Sequence, residues 1–199
     1  MQTAINQNGK SKTLGLVLLG LCIFYFLLAL GIFILPFDVL SHSSLAFWFV
    51  EAMLEIYPAV KRAFTHTDFT QKAAFYIAYM GIVKVVTLTG FVAACLLCGS
   101  KENKACAIKE VRKENPVVRV FISFFCILWV CFLTNRDFTG YDIGYRKPRN
   151  SPGYEWILKF PGELFWQMMF DLIFLAIVAA CILYVALQIQ LLFHKSNNA

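Results

Sequence analysis

The stretch "AFYIAYMGIVKVVTLTGFVAACLLC", Ala74 to Cys98, decides the fold, because its 25 residues carry a single charge, Lys84. As a helix rising about 1.5 Å per residue it outreaches the roughly 30 Å of a bilayer's hydrocarbon. Lipid offers no partner for backbone N–H and C=O groups, so an uninterrupted run of this kind is helical. The alternation that marks a barrel strand is absent.

Three further stretches read the same way: Leu14 to Pro36, Val117 to Thr134 and Leu164 to Phe193. The Val117 stretch is the shortest, near the lower limit for a span, and Arg119 beside its start can snorkel to the interface. The first is too long for the core of a secretory signal and no small-x-small cleavage site follows Pro36, so it reads as a retained span. Composition agrees, with 59% hydrophobic and 15% charged residues against roughly 45–50% and 25% in a soluble domain. The expected fold is an all-α membrane protein, four transmembrane helices in a compact bundle forming a single polytopic domain over residues 1–199.

The segments between spans differ in character. From about residue 44 to 57 the spacing predicts an amphipathic helix. Ser44, Trp48, Glu51, Glu55 and Arg62 share one face, and Leu45, Phe49, Ala52, Met53, Ile56 and Val60 the other. Too short to span, it is expected to lie in the interface. The segment "GSKENKACAIKEVRKEN" mixes Lys and Glu at helical spacing and predicts a short solvated helix, ended by Asn115, with Pro116 opening the third span. The loop 135–163, "NRDFTGYDIGYRKPRNSPGYEWILKFPGE", has no periodicity. Aromatics and Arg on an irregular loop have the composition of a recognition surface, which makes Arg136, Tyr141, Asp142, Tyr145 and Arg146 candidate partner-binding residues. Tyr154, Trp156 and Phe160 have the alternative reading of an aromatic belt at the headgroup level.

Charge sets the orientation and narrows the partners. Five cations crowd the short segment between Gly99 and Pro116, close to span ends, so both termini are expected on the cytoplasmic side. A net charge of +6 suits anionic lipid, and no compact basic domain remains to bind nucleic acid. No N-x-S/T sequon occurs, which favours a bacterial inner membrane over a eukaryotic surface.

Several chemistries lack their residues. Seven cysteines include the pair Cys95 and Cys98, yet neither outer loop holds a cysteine to exchange with. His42, His66 and His194 all lie outside the spans, which removes haem and zinc. Neither a G-x-S-x-G, a phosphate loop nor an H-E-x-x-H occurs. No catalytic residue, metal or cofactor is expected. Glu51 and Glu55, one turn apart, read as an exposed helix face, with a cation-attracting vestibule as the alternative.

Two ionisable residues stand well inside spans, Lys84 and Asp171. Either charge alone near a helix centre costs roughly 2.5–3.5 kcal/mol. Counted from the starts of their helices they lie at similar depth, so they are expected to pair, with Thr87 and Gln167 completing a small hydrogen-bonded cluster. Apolar Phe91, Cys95, Val178 and Ile182 continue the two faces, which favours a structural clasp over an ion path. The expected function is therefore that of an interaction protein of the immunity, exclusion or accessory-subunit type, recognising a membrane or secreted protein through its outer loops. The alternative is a small channel or transporter built on Lys84, Asp171, Glu51 and Glu55. The sequence leaves the oligomeric state open.

Overall fold

The computed structural model describes residues 2–98, 108–141, 143 and 158–196. In chain order they form α1 (Gln2–Ala29), α2 (Gly31–Ile34), α3 (Val39–His42), α4 (Ser44–Ile56), α5 (Pro58–His66), α6 (Thr70–Cys98), α7 (Pro116–Thr139) and α8 (Pro161–Ser196). Residues 108–113 are helical as well. The stretches Thr13–Ile34, Thr70–Leu97, Pro116–Thr139 and Pro161–Leu191 are each long and apolar enough to cross a membrane. The chain is thus an all-α, multi-pass membrane protein. Much of each span faces outward: of α7, Cys126 and Leu133 are buried while Val120, Phe121 and Phe124 are exposed. That distribution suits a lipid solvent, which rewards apolar surface outside as much as inside.

Two compact units divide the chain, and each takes a section of every long helix. The first comprises Phe24–Val86 and Leu133–Ile173, and the second Met1–Ile23, Thr87–Phe132 and Phe174–Ala199.

The first unit has a core of Tyr25, Ile32, Val50, Val60, Tyr76, Ile77, Met80 and Leu164. Ser43 caps α4 by accepting the Ala46 N–H at 3.2 Å, the interaction expected of a serine N-cap. Pro58 then opens a new helix, α5. This breaks the single helical face that sequence spacing drew from Ser44 through Arg62, since proline at a first helical position restarts the register. The buried face of α4 is centred on Ala46 and Val50, and Leu45 and Ile56, on the apolar face drawn from sequence, are 75% and 66% exposed. A single parallel bridge joins the end of α5 to the entry of α8: the Leu158 N–H donates to His66 O at 2.9 Å, and the Asp68 N–H donates to Leu158 O at 3.1 Å.

In the second unit Phe91, Ala94, Val111, Cys126, Val178 and Ala179 are buried. Gly90 lets α1 approach, since a Cβ there would stand 3.0 Å from Leu21 Cδ2. The solvated helix read from the Lys–Glu spacing is present at 108–113, with Lys113 and Glu110 paired at 2.7 Å. Pro116 starts α7, where the Asn115 side chain accepts the Val117 N–H at 3.0 Å.

The first span is interrupted between α1 and α2, inside a region where lipid satisfies no carbonyl. Tyrosines of α6 reach the break. The Tyr76 hydroxyl donates to Ala29 O at 3.0 Å and the Tyr79 hydroxyl to Leu28 O at 2.9 Å. A Cβ on Gly31 would lie 2.5 Å from the Tyr79 hydroxyl oxygen but 3.5 Å from the ring carbon that bears it. Gly31→Ala is therefore expected to displace that hydroxyl and to cost about 1–3 kcal/mol, the price of an unpaired buried carbonyl. In a Tyr79→Phe background the same substitution should cost little, because the clashing atom is gone. Thermal unfolding of the four proteins in mild detergent measures the coupling, and purely additive losses would show that the tyrosine does not seal the break.

Candidate functional site

Lys84 lies in α6 and is 5% exposed. Two carboxylates meet its ammonium. Asp171 of α8 stands with Oδ2 at 2.7 Å from Nζ, and Asp137, in the last turns of α7, hydrogen-bonds Nζ through Oδ1. Their side chains are exposed to different degrees, Asp171 13% and Asp137 39%. The deeper carboxylate is thus sealed and the other opens toward the surface.

Local structure places Asp137. The C-terminus of α7 ends in a Schellman motif: Gly140 adopts φ +63°, its N–H donates to Asp137 O at 3.1 Å, and the Tyr141 N–H donates to Arg136 O at 3.1 Å. Only glycine adopts that conformation without strain. It is also the residue that fits, since a Cβ there would meet Ala59 Cα at 2.8 Å. The α7 end therefore seats directly on the first turn of α5.

Tyr57, the residue before that turn, seals the cluster from the other side. Its hydroxyl donates to Asp137 O at 3.2 Å and approaches Asp137 Oδ2 at 3.4 Å. Its ring lies against Gly81, where a Cβ would stand 2.8 Å from Cε1. Burial pushes the Tyr57 phenol well above its ordinary range, with the Lys84 charge opposing and the Asp137 carboxylate reinforcing. Tyr57 is accordingly a neutral donor at any physiological pH. Arg62, one turn along α5, donates from Nε to Ile143 O at 3.1 Å and stacks over the Tyr141 ring at 5.9 Å. Lys84, Arg136, Asp137, Gln167 and Asp171 border one cavity of about 10 Å³, space for a single water at most.

The sequence-predicted residues fall as follows. Lys84 and Asp171 meet, and Gln167 borders the same cavity. Thr87 does not join them: it is fully buried in the second unit and its Oγ1 has no hydrogen-bond partner. The reason is geometric, because helical side chains lean toward the N-terminus, which carries the Lys84 stem away from Thr87 and toward Gly81. Arg136 lies within α7 rather than in a loop, and Tyr141 just beyond it is 53% exposed. Asp142, Tyr145 and Arg146, with Tyr154 and Trp156, lie outside the described residues. Glu51 and Glu55 are exposed on α4. Among the described residues no group of His, Cys, Asp and Glu is placed to hold a metal ion.

Sequence reasoning missed Asp137 because the third span was ended at Thr134. The signal was present. Leu133 follows Cys126 by seven residues and Asp137 follows Leu133 by four, one continuous helical stripe that is buried at its first two positions.

Compared with protein-family models, curated proteins and solved structures, the chain matches none.

Removing Lys84 strands two carboxylates, so Lys84→Met is expected to lose about 3–5 kcal/mol of stability. Asp171→Asn should cost more than Asp137→Asn, in the order of their burial. The triple variant Lys84→Met, Asp137→Asn, Asp171→Asn should recover most of the loss, since no uncompensated charge remains. Thermal unfolding in detergent reads all four, and a Lys84→Met protein that melts like the wild type would show that the cluster holds nothing together.

Proposed function

We propose that the chain is an interaction protein of a bacterial inner membrane, of the immunity, exclusion or accessory-subunit kind, with both termini cytoplasmic. Its partner is a membrane or secreted protein met on the outer surface of the first unit. The observation that carries this reading is the use made of the intramembrane charge. Lys84, Asp137 and Asp171 are spent on one another beside a cavity of about 10 Å³, and the same cluster grips Tyr57 and so locates α4 and α5. Conduction needs a wet, continuous polar path, and a cavity for one water does not supply it.

What the cluster locates has the make-up of a contact surface. Phe47 and Trp48 are 54% and 68% exposed beside the carboxylates of Glu51 and Glu55. Tyr141 lies within reach of Arg62. Exposed aromatics held on a rigid support, among charges of both signs, are what interface cores and their rims are made from.

Photo-crosslinking in host membranes tests the reading. A benzophenone amino acid at Trp48 or Tyr141 is expected to trap a discrete protein adduct, while one at Phe121 gives only diffuse lipid products. Absence of an adduct from both outer positions, together with ion flux in liposomes that Lys84→Met abolishes, would replace this reading with the conducting one. Orientation is read separately: a membrane-impermeant maleimide should label Ser41→Cys but not Glu110→Cys in intact cells, and the reverse pattern inverts the topology.

A further inference from the structure

Lys72 stands in the first turn of α6 and is 4% exposed. A lysine at the end of a span ordinarily extends its ammonium to water. This one turns beneath Phe37, with Nζ 4.4 Å from the ring centroid. The segment that carries Phe37 is clipped to the same turn of α6: the Ser41 N–H donates to Gln71 Oε1 at 3.3 Å, and the Gln71 amide donates to Ser41 Oγ at 3.1 Å. Two neighbouring contacts between the same two segments thus build the cover over Lys72.

The covered ammonium lacks a counter-charge. Lys84 meets two carboxylates, but among the described residues no carboxylate pairs with Lys72 and no oxygen accepts from it. Asp38, next to Phe37, pairs with His42 at 3.1 Å instead. An ammonium has three N–H donors, and a ring face answers only one side of it. Nζ is not among the unpartnered side-chain atoms sealed from the surface, so its remaining donors look outward through an opening. A buried charge without an anion is costly, which marks that opening as a place for one.

The helix itself adds donors at the same place. The Ala73 N–H, bonded to Phe69 O at 2.9 Å, is the first to close a turn of α6, so the N–H groups of Thr70, Gln71 and Lys72 have no intrahelical partner. Neither side chain just ahead caps them: Thr67 turns its hydroxyl to Ala63 O at 2.7 Å, and Asp68 is exposed and accepts none of them. Helical side chains lean toward the N-terminus, which brings the Lys72 ammonium to the end where these N–H groups emerge. Free N–H groups at the positive end of a helix dipole favour an oxyanion such as phosphate. The span begins at Thr70, which sets this end at the headgroup level. Phe37 and, just before it in the chain, Phe33 and Ile34 are 63%, 54% and 85% exposed, apolar surface suited to acyl chains.

We propose that the first turn of α6, with Lys72 beneath Phe37, holds the phosphate of a phospholipid headgroup. The non-bridging oxygens accept from Lys72 Nζ and from the free N–H groups of the helix end, and the Phe37 ring keeps the ammonium in place. The site requires neither a protein partner nor one particular orientation of the chain, so it stands apart from the proposed function.

The test titrates the full chain in mild, lipid-free detergent with phosphatidylglycerol, with diacylglycerol of the same acyl composition and with inorganic phosphate, reading affinity from the thermal shift. Phosphatidylglycerol is expected to bind about tenfold more tightly than diacylglycerol. Lys72→Met strands no partner, so it should melt no lower than the wild type without lipid and yet lose about tenfold in affinity for phosphatidylglycerol. Lys72→Arg should stay within about threefold of the wild type, and Lys61→Gln, which removes an exposed cation of α5, should lose less than about twofold. Phe37→Leu keeps every charge and should still weaken binding about threefold, so the site remains testable if Lys72→Met does not elute as a single species. Unchanged binding by Lys72→Met or by Phe37→Leu, or an equal loss from Lys61→Gln and Lys72→Met, overturns the site in favour of diffuse attraction. An equal shift from diacylglycerol overturns it in favour of acyl chains alone. A full shift from inorganic phosphate alone overturns the lipid in favour of a free anion.

Discussion

The first unit is organised by one constraint, that an ammonium inside an apolar span must meet its counter-charge on neighbouring helices. Lys84 takes Asp137 from α7 and Asp171 from α8, and so fixes the rotation of three helices at a single point. A residue of α7 can reach that point only if the helix continues past Thr134 and stops soon after, which Gly140 enforces with φ +63°. The stop places Gly140 against Ala59, and Tyr57 falls on Asp137. The position of α5, and of α4 before it, follows from a salt bridge within the spans. A buried pair is weak evidence for net stability compared with an apolar replacement. Its stronger effect here is on which arrangement of helices is tolerated.

The same constraint governs the uncharged polar groups. Tyr25, Tyr76 and Tyr79 each send a hydroxyl to a backbone carbonyl, of Met168, Ala29 and Leu28, at 2.9–3.0 Å. Two of these carbonyls lie at the break between α1 and α2, where the helix ladder is interrupted. A phenol suits this place, because its ring packs as a large apolar body and its single hydroxyl reaches the one group in need. In water such a break would draw a solvent molecule; in a span the protein must bring its own donor.

Legibility followed the strength of the physical penalty. The four spans were readable because an unpaired backbone in lipid is intolerable, and the Lys84–Asp171 meeting because a lone charge there is costly. The start of α7 at Pro116 was readable from proline chemistry, and α4 from the spacing of its faces. What escaped was set by packing rather than by solvation. Pro58 divides one helical face into two, so that Val60 is buried in α5 while Leu45 and Ile56, drawn on the same apolar face, are exposed on α4. Asp137 escaped because charge in sequence marks the end of a span only when it faces lipid or water. Facing a lysine, it extends the helix instead, and the pattern of Cys126 and Leu133 carried that distinction where hydropathy did not. Thr87 was misassigned because three residues along a helix share a face, yet their side chains lean the same way and do not converge.

Under the proposed function, a clasp of this kind would bear on recognition through entropy. Binding costs roughly 0.5–1.5 kcal/mol for each flexible side chain that must be immobilised at an interface, so a surface ordered beforehand binds more tightly for the same contacts. Short helices outside a membrane have no large core with which to order themselves: α5 is 9 residues long and α4 is 13, near or below the length at which an isolated helix is marginal. Their order is borrowed from the spans through Tyr57, Ala59 and Arg62. The groups those three meet, the Asp137 carbonyl, Gly140 and the Ile143 carbonyl, all fall within seven residues at and just beyond the end of one helix. Any partner that pulled on α5 would therefore act on Asp137 directly, and through it on the buried ammonium. Under the proposed function, a ligand that favours the seated form of α5 must also favour the closed form of the clasp.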